Sequence, residues 1–146
     1  MKTLIKILSK HPLAVAAWVA FIISFFLPAY AEGMGWQCAT LHREFWSPAL
    51  DGEWPSIHYL LLTFPNLFML ASAFLVFRLG ESRRGLKGLT WCAFIAAMLV
   101  WSFLIQFLLH GDAHELKIGA YVWGTSFVLL WLDGILKKPT AATTQT

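Results

Sequence analysis

LTWCAFIAAMLVWSFLIQFLL, residues Leu89 to Leu109, runs for 21 residues without a charge. At about 1.5 Å per residue a helix of that length spans roughly 30 Å, the thickness of a bilayer's hydrocarbon core. Three more apolar runs lie around it, Leu13–Ala31, Ile57–Phe77 and Ile118–Leu136, and Asp133 is the single carboxylate in all four. The pattern predicts an all-α fold: an integral membrane four-helix up-down bundle forming one transmembrane domain over residues 1–138. Pro139 ends the last helix, and residues 139–146 read as a disordered polar tail.

Charge sets the expected orientation. Lys2, Lys6, Lys10, Arg78, Arg83, Arg84, Lys87, Lys137 and Lys138 fall on one side of the four runs, and only Arg43 and Lys117 on the other. The positive-inside rule then places both termini and the middle connection in the cytoplasm. A composition of 58% apolar and 13% charged residues, with mean hydropathy +0.64, excludes an ordinary soluble domain, which carries about 25% charge. The net charge of +3 is already used by orientation, so lipid headgroups rather than nucleic acid are the expected neighbours. Cys38 and Cys92 lie at opposite ends of the expected bundle, too far apart for a bridge. The basic start, the run Leu13–Leu27 and the triplet Ala29-Tyr30-Ala31 also describe a signal peptide. The Phe-rich run with Trp18 favours an uncleaved anchor.

The connection over residues 32–56 is longer than a hairpin needs. Met34, Cys38, Leu41 and Phe45 share one helical face, which predicts a short interfacial helix in this first outer loop. Trp36, Trp46 and Trp54 suit the headgroup region. The shorter connections Gly80–Gly88 and His110–Lys117 each read as a turn.

Polar residues within the runs are few. Counted from the cytoplasmic ends, Ser24, Asn66, Ser102 and Ser126 fall at similar depths, predicting a mid-membrane polar layer that fixes helix rotation, with Pro65 interrupting the second span. Asp133 is expected to pair with Lys137 at the cytoplasmic boundary. Ala16 with Ala20 and Ala93 with Ala97 are candidate close-packing pairs. His58, His110, His114 and Glu115 gather on the outer side and are weak candidates for a metal site, or for a haem held between His58 and His110. No cofactor is assigned. The motifs HExxH, GxSxG, Walker A and the glycine-rich dinucleotide loop are missing, so no enzyme is expected.

Ser24-Phe25-Phe26-Leu27-Pro28-Ala29, then Gly35-Trp36-Gln37-Cys38, then Pro65-Asn66-Leu67 resemble a loose group of bacterial four-span inner-membrane proteins without an assigned activity. The likeness covers residues 24–68. It implies a bacterial inner membrane, a periplasmic outer side and an uncleaved first helix, and adds no site residues.

The expected function is contact with another membrane or periplasmic protein, as an accessory subunit or an immunity protein. Trp36, Arg43, Glu44, Trp46, Asp51 and Trp54 are the candidate contact residues, since aromatics and Arg dominate binding hot spots. A metal- or haem-binding redox component and a small oligomeric channel or transporter are the alternatives; a homo-oligomer is compatible with each.

Overall fold

A computed structural model describes residues 9–40, 57, 61–79 and 83–137. The chain is mostly helical. Helix α1 (Pro12–Phe26) leads into a two-stranded antiparallel hairpin, β1 (Pro28–Tyr30) and β2 (Gly33–Met34), then the short α2 (Gly35–Thr40). Helix α3 (Thr63–Leu79), helix α4 (Arg83–His110), a 3-10 turn (Asp112–Glu115) and helix α5 (Ile118–Leu136) follow.

The last run is a helix over the residues expected, and the others differ for identifiable reasons. α1 stops at Phe26 rather than Ala31 because Pro28 cannot donate to the helical ladder and drives Leu27 into extended backbone (φ −98°, ψ 150°). α4 continues through Gly85 and Gly88 instead of turning there; a helical glycine costs only about 1 kcal/mol. Gly80, Glu81 and Ser82 lie outside the described residues. α3 starts at Thr63, so Pro65 occupies the first turn, where a missing N–H costs no helical bond, and not the middle of a span. The expected interfacial helix begins at Gly35, one residue after a strand. Gln37 Oε1 accepts the Met34 N–H at 2.7 Å, half of a capping box. Leu41 and Phe45 lie outside the described residues.

α5 is the spine. α1 packs antiparallel to it: Asp133 near the end of α5 meets His11 before α1, while Lys117 before α5 bonds Ala29 beyond α1. α4 also runs against α5, with Thr90 beside Gly134 and Leu104 beside Gly124. Small residues make the approach close: Ala14 and Ala17 on α1 and Ala93, Ala96 and Ala97 on α4 are buried, and Phe127 of α5 is completely buried between them. On α1 the close-packing face is therefore Ala14 and Ala17, since Ala16 is exposed.

Outward faces are as apolar as the core. Ile22 and Phe26 on α1, Leu67, Leu70 and Phe74 on α3, Trp91 and Met98 on α4, and Ile135 on α5 are exposed. α4 and α5 are long and apolar enough to cross a membrane, with only 28% and 39% of their most apolar windows buried. α1 and α3 are apolar but shorter.

Two glycines are set by close approach. A Cβ on Gly35 would overlap the Ser24 carbonyl, and one on Gly119 would come within 2.7 Å of the Pro28 carbonyl oxygen. Gly35→Ala and Gly119→Ala are each expected to lower stability by about 1–3 kcal/mol. Gly88→Ala, with nothing within 4 Å, should instead raise it by up to about 1 kcal/mol. Thermal unfolding of the three variants in detergent checks the contrast.

Candidate functional site

The chain leaves helical structure at residues 27–34 and again at 111–117, and the two excursions meet. Ala31 N–H donates to the Glu115 carbonyl at 2.8 Å, Lys117 N–H to Ala29 at 3.0 Å and Gly35 N–H to Leu27 at 2.9 Å, and Tyr30 bridges Leu116. Gly111 (φ 88°) turns the chain out of α4, and Ala31 (φ 47°) closes the hairpin. Non-glycine backbone in this left-handed region is strained. The strain is held by the Glu115 bond.

Beneath this roof lies a cavity of about 360 Å³. Its walls are Phe25, Tyr30, Phe103, Phe107 and Trp123, with Leu62, Leu104 and Leu116 between them, and its polar groups are Ser24, Cys38, Thr63 and Asn66. Trp123 Nε1 donates to Asn66 Oδ1 at 2.9 Å. Thr63 Oγ1 is buried and has no hydrogen-bond partner among the described residues. Burial pushes the Cys38 thiol above its ordinary value, partly offset by the backbone N–H groups of Cys38 and Tyr30.

At the other end of the bundle, His11 and Asp133 are both buried, 3% and 7% exposed. Asp133 Oδ2 lies 2.6 Å from His11 Nδ1, and Oδ1 accepts the Ala14 N–H at 3.3 Å. Lys137 Nζ contacts the same imidazole, including Nε2. An ammonium only donates and a carboxylate only accepts, so the imidazole lies between a donor and an acceptor. Burial pulls the Lys137 ammonium below its ordinary value; Asp133 raises it again and Lys10 lowers it further.

This replaces the expected Asp133–Lys137 pair, because His11 comes between them. The mid-membrane layer is also corrected. Ser24, Ser102 and Ser126 bond the carbonyls of Phe21, Leu99 and Trp123 within their own helices, and Ser102 is exposed. Serine satisfies itself most cheaply on the preceding helical turn. Among the described residues, Asn66 is the one of the four with an interhelical side-chain bond, near the start of α3 rather than mid-span. Indole N–H groups supply the other cross-links: Trp18 to Ser72 at 2.9 Å and Trp101 to the Gly124 carbonyl at 3.2 Å.

His110 and His114 do not share a helical face, since α4 ends at His110 and Gly111 reverses the chain. Both are exposed, and His110 Nδ1 bonds the Gln106 carbonyl at 2.7 Å. Among the described residues no group of three His, Cys, Asp or Glu could hold a metal; Glu115 offers its backbone carbonyl to the roof. His58, Arg43, Glu44, Trp46, Asp51 and Trp54 lie outside the described residues. Trp36 is half exposed beside the roof. Sequence reasoning missed His11 and Thr63; no spacing rule connects His11 to a partner 122 residues away.

No known family model, curated protein or solved structure matches this chain.

Two outcomes are expected. Truncating one partner of the buried pair, His11→Ala or Asp133→Ala, should cost about 3–5 kcal/mol, and the double variant less than the sum; a thermal-unfolding double-mutant cycle reads the coupling. A raised folded pKa keeps Cys38 a thiol at pH values where an unfolded thiol has ionised. Maleimide labelling of Cys38 should therefore be slower than in the denatured chain near the ordinary thiol pKa. The stability this thiol contributes is present below that pKa and lost as pH rises through the folded one.

Proposed function

We propose that this chain is a four-span protein of a bacterial inner membrane, with both termini cytoplasmic, that acts by binding another membrane or periplasmic protein as an accessory subunit or immunity protein. The observation that carries the reading is the roof. A tripartite backbone platform fixed by main-chain bonds presents the Trp36 ring, 53% exposed, and rigid aromatic anchors bind with little ordering cost. The apolar outer faces of α1, α3, α4 and α5 support membrane burial, and the lysine and arginine distribution supports the orientation. Binding is favoured over catalysis because His11, the one buried histidine among the described residues, has both ring nitrogens engaged by Asp133 and Lys137 and no described nucleophile beside it. Serines turned onto their own helices, and histidines separated by Gly111, weaken the channel and metal alternatives.

Mass spectrometry of the tagged chain purified from its own host in mild detergent tests this. A stoichiometric partner is expected with the parent chain and with Trp91→Ala, whose ring is exposed on the side of α4, and is expected to be lost with Trp36→Ala. Retention by Trp36→Ala, or a chain that arrives alone, contradicts the reading. A phosphatase fused after His114 should be active and one fused after Thr146 inactive.

A further inference from the structure

Native interiors leave few voids larger than a water molecule. The space under the roof, about 360 Å³, instead falls within the roughly 300–1,000 Å³ of small-molecule sites. Its walls are ordered: Tyr30 meets Phe107 edge to face at 5.4 Å, and Phe103 meets Phe107 likewise at 5.0 Å. Among the described residues, neither Lys, Arg, Asp nor Glu lines it, so the described walls suit a neutral ligand.

Two of its four polar groups lie on one turn of α3, while Ser24 is already bonded to the Phe21 carbonyl. Thr63 and Asn66 are three residues apart and share a helical face. The Thr63 hydroxyl is buried without a partner among the described residues, a costly state unless a ligand completes it. An indole N–H only donates, so the Asn66 atom that receives Trp123 is the oxygen, and the NH₂ is the end left to donate. Two donors beside aromatic faces complement a planar ring that carries hydrogen-bond acceptors. A plain acyl chain would fill the walls and leave Thr63 unsatisfied.

We propose that this cavity binds a lipid-soluble quinone-type molecule, a planar ring whose carbonyl oxygens accept hydrogen bonds from Thr63 and Asn66. The site stands independently of the partner reading and involves binding alone, with no electron transfer.

Titration of the full-length protein in nanodiscs with decylubiquinone, followed by calorimetry, tests it, with decylbenzene as the ring-and-tail control lacking carbonyls. Saturable binding of one quinone per chain is expected, and decylbenzene should bind at least roughly tenfold more weakly. Thr63→Val should weaken quinone binding by about tenfold while raising the thermal midpoint of the empty protein, because a buried unpaired hydroxyl is removed. A purely structural threonine would not move the two in opposite directions. Asn66→Ala is expected to weaken binding as well. Uptake no greater than into empty nanodiscs, decylbenzene binding as tightly as the quinone, or unchanged affinity in Thr63→Val would each overturn the proposal.

Discussion

The main-chain bonds between residues 29–31 and 115–117 are the constraint on which the rest of the structure depends. Helices satisfy their own backbone, but an excursion from helical structure leaves N–H and C=O groups to be paired. Here the excursion after α1 and the excursion before α5 pair with each other. That pairing sets α1 against α5 in a fixed register, roofs the cavity and places α2 where Gly35 can touch the Ser24 carbonyl. A side chain at Gly35 or Gly119 would push the layers apart. The strained Ala31 is tolerated because its N–H is committed to Glu115.

The far end of the same helix pair is closed by chemistry of a different kind. Asp133 is buried, and a lone carboxylate there would be expensive. His11 and the Ala14 N–H satisfy it, and Lys137 lies against the same imidazole. Between the two ends, indoles hold the helices in rotation. Trp18, Trp101 and Trp123 each donate to a neighbouring helix, links worth about 0.6–2 kcal/mol apiece in an apolar medium. Tryptophan thus does inside the bundle what the serines were expected to do.

Periodicity and length made the long helices legible. Ile118–Leu136 is a helix over those residues, and Leu89–Leu109 lies within α4, because nothing in either run competes with helix formation. The run Leu13–Ala31 reads straight through Pro28, whose missing N–H ends α1 at Phe26. The hairpin was not legible: three residues paired with two are too few to show the alternation of a strand. The His11–Asp133 contact and the cavity arise from residues far apart in sequence, and local spacing carries no information about them. Thr63, one hydroxyl inside an apolar run, has no sequence signature distinguishing it from Ser102, which faces outward and bonds its own helix.

Amide hydrogen exchange of Ala31, Gly35 and Lys117 addresses the roof most directly. If the main-chain bonds hold the two excursions together, these three amides exchange as slowly as those in the middle of α5 and are released only with it. Exchange at the rate of an open loop, with α1 and α5 still protected, would show that the roof forms without organising the helices, and the account built on it would fail.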